Sequence, residues 1–196
     1  RDQFNVPLNI GHDGYRIKMP SGLLYGQNAS MLLRDAFGNI SSFSDFDELP
    51  IPYRAIATDL STNEAVVLNK GDLLRSMRAS ANVPGVLAPV KYEGRLLVDG
   101  GMANNLPIDI VKEMGADIVI AIDIGTPLAK TEELLDTFTI LGQLSNFLTV
   151  SSASKQKSLL TEHDLLIQPD IEQLSTTDWS FFSKGIEEGE KAAEKL

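Results

Sequence analysis

Hydrophobic residues occur in short blocks along the chain, and their spacing predicts strands that alternate with helices. The segment YRAIATDL, residues 53–60, predicts a buried strand, and AVVL, residues 65–68, predicts its hairpin partner. The apolar run ADIVIAIDI, residues 116–124, is typical of a strand that helices cover on both faces. Three further short strands are predicted, two within residues 86–98 and one within residues 163–170.

Apolar positions at helical spacing predict helices between these strands. Asp72 is suited to cap one of them, because its carboxylate can accept hydrogen bonds from the first helical turn. Pro107 occupies the favoured first position of another, which Gly115 is suited to end. The predicted helices cover residues 27–37, 72–81, 107–114, 131–161 and 179–196.

The alternation of strands and helices predicts an α/β sheet with helices on both faces. The chain has 196 residues, a length that suits one domain with a full-sized core. Neither an internal repeat nor a linker is visible in the sequence. We therefore expect a single domain over residues 1–196.

The charge balance limits the kinds of partner. The formal net charge is −10, which is the opposite of the basic footprint that DNA and RNA require, so nucleic acid is excluded as a main partner. The chain also lacks a polybasic patch for anionic membranes, so any lipid contact should be local, transient and apolar. There is no cysteine, which removes disulfides, thiolate nucleophiles and cysteine-ligated metals.

Metal chemistry finds no support in the sequence. The two histidines, His12 and His163, are isolated from each other and from any zinc-ligand spacing. We expect them to lie at the surface or in turns, and we expect neither a metal nor an organic cofactor.

The stretch LLVDGGMANNLP, residues 96–107, contains a candidate catalytic carboxylate, Asp99. Gly100 and Gly101 follow Asp99, and glycine allows the backbone to turn sharply and leaves space beside it. The helix predicted to begin at Pro107 favours nearby negative charge, which would help to keep Asp99 ionised. A fixed, ionised carboxylate is suited to act as a general base. A plain loop would use the same residues, because Asp-Gly is common turn chemistry.

The stretch MRASANVPGVLAPV, residues 77–90, joins a predicted helix to a predicted strand just ahead of Asp99. It carries two prolines, Pro84 and Pro89, and is apolar for a loop. An apolar loop beside a site could line an acyl-chain pocket or contact a bilayer. A buried turn of the core has the same composition, so the alternatives stay open here.

The order of these segments resembles the patatin-like phospholipases. RASANVPGVLAPV, a short hairpin and LLVDGGMANNLPIDIVKEMGADIVIAIDIG follow one another as in that family, and MPSGLLYGQ and LPIPYRAIATDLSTNEAVVL are also similar to it. The resemblance implies a three-layer α/β sandwich whose central, mostly parallel sheet is flanked by helices. It also implies hydrolysis of lipid acyl esters, of the phospholipase A or lysophospholipase type, by a Ser-Asp dyad without a cofactor.

Carried onto this chain, the resemblance implies that Asp99 is the base of the dyad and that Gly100, Gly101 and Pro84 support the site. The substrate implied is a phospholipid or another acyl-ester lipid. The family's G-x-S-x-G nucleophile and glycine-rich oxyanion loop do not occur in these 196 residues, and neither Ser21 nor Ser80 is assigned as the nucleophile. We therefore expect the chain to be a partial domain that lacks the amino-terminal portion with both elements.

Other interpretations remain. A non-catalytic lipid-binding or interaction domain on the same fold would also lack the G-x-S-x-G motif. A nucleotide-binding domain is disfavoured, because neither common phosphate loop is present. Residues 139–160 and 163–180 resemble bacterial patatin-like proteins that carry the lipase as an exported passenger before an outer-membrane barrel. This resemblance implies a secreted or cell-surface location, with the cytoplasm as the alternative, and leaves a homo-oligomer possible.

Overall fold

The computed structural model describes residues 11–12, 17–18, 27–38, 42–84, 86–125, 128–129, 131, 137–171 and 182–195. The chain divides into two compact units, residues 1–103 and residues 104–196. The prediction of one patatin-like domain over residues 1–196 stays a prediction. The α/β class is confirmed, because both units combine strands and helices.

The first unit contains eight strands and two complete helices among its described residues. The strands are β1 (Gly11–His12), β2 (Ile17–Lys18), β3 (Ser42–Phe43), β4 (Ala55–Asp59), β5 (Ala65–Leu68), β6 (Gly71–Asp72), β7 (Val90–Tyr92) and β8 (Arg95–Asp99). The helices are α1 (Gln27–Phe37) and α2 (Leu73–Ser80), with a 3₁₀ turn at Phe46–Glu48. A short helix, α3 (Gly101–Asn104), follows β8 directly.

The centre of this unit is a four-stranded sheet in the order β5-β4-β8-β7, and every neighbouring pair in it is antiparallel. The predicted hairpin of β4 and β5 is confirmed, with Ala55 opposite Leu68. The hairpin of β7 and β8 turns at Glu93 and Gly94, whose φ angles are +46° and +80°. A two-residue turn with two positive φ angles matches the twist of the strands that it joins.

The core of the first unit lies between this sheet and α2, which packs on β4 and β8. The capping role predicted for Asp72 is confirmed, since its side chain accepts a hydrogen bond from the Arg75 N–H at 2.9 Å. The buried side chains that form this core are Ala55, Ala57, Leu68, Ala79, Val90 and Leu97.

The second unit contains α4 (Ile108–Glu113), β9 (Ile120–Ile122), α5 (Thr137–Lys157), β10 (Leu165–Ile167) and α6 (Phe182–Ala193). The predicted stop at Gly115 agrees with its φ of +88°. Strands β9 and β10 pair in parallel, with Ala121 opposite Leu166. The prediction of a mostly parallel central sheet is therefore wrong for the first unit and right only for this pair. A hydrophobic pattern reports burial and does not report strand direction. Of the predicted helices, residues 132–136, 179–181 and 196 lie outside the described part.

The prediction that helices cover both faces of the strand at residues 116–124 is wrong for the described residues. Val119 and Ala121 are buried in the core of the second unit. The alternate residues face outward, because successive side chains of a strand point to opposite faces. Ile118, Ile120, Ile122 and Ile124 are between 56% and 65% exposed.

Candidate active site

Asp99 is the last residue of β8 and lies beside the start of α3. Three backbone hydrogen bonds fix it and its successor. The Asp99 N–H donates to the Asn82 carbonyl at 2.9 Å, the Gly100 N–H donates to the Ser80 carbonyl at 3.2 Å, and the Asp99 carbonyl accepts from Thr58 Oγ1 at 2.7 Å. The end of β8 is thus tied both to the loop after α2 and to β4.

Thr58 links the two ends of this turn. Its hydroxyl donates to the Asp99 carbonyl and accepts a hydrogen bond from the Ala103 N–H at 3.2 Å. Thr58 is buried, so water does not compete strongly for these bonds. The turn that carries the carboxylate is therefore held by a side chain from the adjacent strand.

Residue 100 must be glycine because no room exists for a side chain there, and not because of its backbone φ angle. A Cβ atom at this position would lie 2.1 Å from the Ile56 carbonyl oxygen, a separation that no side chain can adopt. The described glycines with positive φ are Gly38, Gly71, Gly94 and Gly115, so neither Gly100 nor Gly101 needs the left-handed region. Gly100 was predicted to allow a sharp turn of the backbone. The structure shows that it instead allows two main chains to approach each other closely.

The Asp99 carboxylate is partly buried, and its two oxygens differ. Oδ1 accepts a hydrogen bond from the Gly101 N–H at 2.7 Å, while Oδ2 accepts none from the described residues. Among those residues no cationic side chain lies within salt-bridge distance of Asp99. Within the described part of the chain, one carboxylate oxygen is therefore held by a hydrogen bond and the other accepts none.

Burial raises the pKa of Asp99, and the hydrogen bond from Gly101 opposes this shift. This corrects the expectation that the surroundings favour the ionised form. The helix at Pro107 was expected to favour the charged form of Asp99. Asp99 and Pro107 belong to different units, so this effect stays a prediction. A raised pKa makes the carboxylate a stronger proton acceptor.

Pro84 lies in the loop after α2, where it forms an isolated bridge with Leu87. The same loop contains Asn82, a residue that the sequence did not single out. Asn82 is fully buried, its Nδ2 donates to the Ala88 carbonyl at 3.1 Å, and its Oδ1 has no hydrogen-bond partner among the described residues. An asparagine in an apolar segment is the signal that could have indicated it, since such a residue is retained inside only for a specific bond.

Ser80 makes no side-chain hydrogen bond to Asp99 among the described residues. Ser80 ends α2 and contributes its carbonyl to the Gly100 N–H. Ser21 lies outside the described residues. His163 is exposed beside Glu162. In the part of the chain that the structure describes, no group of three or more His, Asp or Glu side chains is spaced to hold a metal ion.

A partly buried carboxylate fixed at a strand end in an Asp-Gly-Gly turn has the chemistry that a general base needs, and this chemistry is shared by several classes of enzyme. The family model described as patatin-like phospholipase matches residues 15–112. The match covers half of the chain and includes every residue of the site. The chain belongs to the patatin-like phospholipase family.

Three curated relatives illustrate what the chain is similar to. It is 38% identical over 104 residues to an NTE family protein of Mycobacterium tuberculosis, which is 53% of this chain and 28% of the relative. It is 41% identical over 93 residues to patatin-like phospholipase domain-containing protein 7 of Mus musculus, which is 46% of this chain and 7% of the relative. It is 33% identical over 108 residues to the neuropathy target esterase of Drosophila melanogaster, which is 54% of this chain and 7% of the relative.

The chain thus spans less than a third of the length of each of these relatives. The name of the second relative contains a phospholipase domain, and the third is named as an esterase. The finer resemblance to exported bacterial passenger proteins stays a prediction. None of the helices among the described residues combines the length and the apolar character needed to cross a bilayer.

Proposed function

We propose that this chain is the base-carrying part of a lipid acyl ester hydrolase, of the phospholipase A or lysophospholipase type. The observation that carries the proposal is the Asp99 carboxylate, whose Oδ1 is held by the Gly101 N–H and whose Oδ2 accepts no hydrogen bond from the described residues. A general base must keep one oxygen in a fixed direction and free of a competing cation. Membership of the patatin-like phospholipase family supports the reaction class.

In the proposed mechanism Asp99 takes the proton of a serine hydroxyl while the serine Oγ attacks the ester carbonyl carbon. The resulting oxyanion is stabilised by backbone N–H donors. When the tetrahedral intermediate collapses, the Asp99 carboxylic acid returns the proton to the departing alcohol. Water then attacks the acyl-serine while Asp99 accepts its proton, and Asp99 returns this proton to the serine Oγ as the fatty acid leaves. We assign the serine and the oxyanion donors to polypeptide outside these 196 residues, since no G-x-S-x-G occurs within them.

The substrate in this proposal is a phospholipid or another acyl-ester lipid, reached through transient contact with a membrane surface. The mechanism needs no cofactor. A secreted or cell-surface location in a bacterium remains a proposal, with the cytoplasm as the alternative.

The test is Asp99→Asn in the full-length protein, assayed with a p-nitrophenyl acyl ester. We expect a loss of about 10²–10⁴-fold in kcat/KM, which is what a positioned base contributes. Asp59→Asn is the matched control, because it makes the same chemical change at the end of the adjacent strand β4. Asp59→Asn should keep its activity. Full activity of Asp99→Asn would reject the assignment.

A non-catalytic lipid-binding domain is the second candidate, favoured by the missing G-x-S-x-G motif. Labelling of the full-length protein with a fluorophosphonate separates the two, because this probe reacts with activated serines. The hydrolase proposal expects one labelled serine, and Asp99→Asn should greatly slow its labelling. Absence of labelling in the parent protein would favour the binding domain.

A further inference from the structure

A hydroxyl from strand β4 joins the end of β8 to the start of α3. Thr58 Oγ1 donates to the Asp99 carbonyl at 2.7 Å and accepts a hydrogen bond from the Ala103 N–H at 3.2 Å. A hydroxyl can make both bonds at once, because it has one donor hydrogen and two acceptor lone pairs. One side-chain atom therefore closes the turn from Asp99 to Ala103.

The closed turn contains the residue that fixes the candidate base. Gly101 lies midway between Asp99 and Ala103 in the sequence, and its N–H donates to Asp99 Oδ1 at 2.7 Å. A change in the distance between the two ends of the turn would move this N–H relative to the carboxylate. The Thr58 hydroxyl and the Asp99 carboxylate are thus coupled through the short backbone segment between them.

The position of Thr58 in the sheet keeps its hydroxyl in place. Thr58 lies opposite Val98 in the antiparallel pair of β4 and β8, and it is only 1% exposed. The branched Cβ of threonine restricts its χ1 angle, so the hydroxyl has few alternative directions. Because the site is buried, water does not readily replace a bond that is lost there.

Other bonds at this turn do not depend on Thr58. The Asp99 N–H donates to the Asn82 carbonyl. The Gly100 N–H donates to the Ser80 carbonyl. Both bonds join backbone to backbone, so they remain when the side chain of Thr58 is changed. A variant at Thr58 should therefore keep the end of β8 attached to the loop after α2 and lose only the closure of the turn.

We propose that Thr58 is a positioning residue of the candidate base, and that its hydroxyl sets the direction of the Asp99 carboxylate by closing the turn from Asp99 to Ala103. The proposal rests on the proposed function, in which Asp99 takes the proton of a serine. Thr58 takes no proton itself and acts through Asp99. Proton transfer requires a well-placed acceptor, and a displacement of about 1 Å can cost on the order of 10²-fold in rate.

The test is Thr58→Val in the full-length protein, which replaces the hydroxyl by a methyl group of similar size. With a p-nitrophenyl acyl ester, kcat should fall by about 10–10²-fold while KM changes by less than about twofold. Thr58→Ser keeps the hydroxyl and should keep most of the parent kcat. An unchanged kcat in Thr58→Val, or an equal loss in Thr58→Ser, would overturn the proposal.

Ser76→Ala is the matched control. The Ser76 hydroxyl is also fully buried and also donates to a backbone carbonyl, that of Asp72 at 2.9 Å, but this bond lies at the start of α2. Thr58→Val and Ser76→Ala each lose one buried hydrogen bond, so both should lower the melting temperature. Ser76→Ala should keep the parent kcat. An equal fall of kcat in both variants would indicate general loosening of the fold and would count against positioning.

A double-mutant cycle tests whether Thr58 acts through Asp99. In the parent, Thr58→Val should slow fluorophosphonate labelling of the serine by about 10–10²-fold, whereas in the Asp99→Asn background it should change the labelling rate by less than about twofold. Equal effects in the two backgrounds would contradict the proposal. If Asp99→Asn itself keeps full activity, the proposed base fails, and the role of Thr58 fails with it. If Asp99→Asn loses activity and Thr58→Val does not, the base stands and only the positioning role is rejected.

Discussion

The main chain at Gly100 lies so close to the Ile56 carbonyl that a Cβ atom would be 2.1 Å from its oxygen. This contact sets the distance between the turn after β8 and strand β4, and so positions the Asp99 carboxylate beside the sheet. The relation is one of backbone to backbone, so neither partner can relieve a clash by changing a rotamer.

Gly100→Ala should therefore destabilise the protein. We expect a loss of about 3 kcal/mol in the free energy of unfolding, at the upper end for an inserted methyl group in a packed interior. Urea denaturation followed by circular dichroism measures it. Gly142→Ala is the control, because a Cβ at this position in α5 meets no atom within 4 Å. It should stabilise the protein by about 0.5–1 kcal/mol. An unchanged midpoint for Gly100→Ala would show that the two main chains move apart easily.

Asp99→Asn should not cost stability at neutral pH. Burial raises the pKa of Asp99 above its ordinary value, so the folded state holds a proton there more tightly than the unfolded state does. Ionisation of Asp99 then lowers the stability of the parent as the pH rises through this range. The asparagine can still accept the Gly101 N–H. Relative to the parent, the variant should gain stability between about pH 3 and pH 7.

Asp59→Asn should show the opposite dependence. The Ser61 hydroxyl and N–H, at 2.6 Å and 2.9 Å from Oδ1, lower the pKa of Asp59, with Arg95 contributing further. The ionised form thus stabilises the parent above the ordinary pKa, and this contribution is lost as the pH falls. The variant should be less stable than the parent at pH 7, and the difference should shrink as the pH falls below the ordinary carboxyl pKa of about 4. Melting temperatures across this range test both aspartates, and parallel curves would contradict the assignment.

Asp164 should be a critical residue of the second unit. Its carboxylate accepts hydrogen bonds from Lys112 Nζ at 2.8 Å, from the Val119 N–H at 2.9 Å and from the Thr161 N–H at 2.7 Å. These groups hold its pKa far below the ordinary range. Asp164→Ala removes all three acceptor contacts and should lower the melting temperature. Hydrogen exchange should be faster at the amides of β9 and β10, and Asp170→Ala, at an exposed site, is the control. Equal protection in both variants would contradict this role.

Asn82→Ala should both destabilise the fold and reduce catalysis. Loss of the bond to the Ala88 carbonyl and the space left by the side chain should cost about 2–4 kcal/mol. The loop that holds Asp99 would lose its brace, so kcat for a monomeric ester should fall more than KM rises. Asn69→Ala is the control, because the described hydrogen bond of Asn69 uses its carbonyl, which alanine keeps. A change in KM alone would assign Asn82 to substrate binding.

Local signals predicted the elements of the first unit well. The strand over residues 53–60 is found as β4, the helix over residues 27–37 as α1, and the cap at Asp72 as the start of α2. Each of these rests on interactions within a few residues, such as hairpin turns and side-chain caps, and such interactions are written directly in the sequence.

Strand direction and the covering of faces were not predicted correctly. The run at residues 116–124 is apolar throughout, yet one face of β9 is exposed, and the sheet around Asp99 is antiparallel. Both properties depend on which distant segments meet, and composition alone does not encode this.

Some residues of the candidate site could also be predicted from the local sequence, and others could not. Asp99, Gly100 and Gly101 were indicated by a local motif, whereas Thr58 and Asn82 were not. These two residues act across 41 and 17 positions of sequence, through bonds to the Asp99 carbonyl and N–H. Long-range bonds of this kind become visible only when the strand pairing is known.

The exposed isoleucines of β9 also affect the tendency of the polypeptide to aggregate. Within the described residues β9 pairs with β10 only, so its other edge has unpaired backbone N–H and C=O groups. The exposed side chains of Ile120 and Ile122 lie on the same strand. Such a strand templates the addition of further strands, which is the first step of fibril growth. We expect concentrated samples of these 196 residues to become turbid on standing. Ile120→Lys should delay the rise in turbidity, whereas Glu113→Lys, at an exposed position on α4, should not.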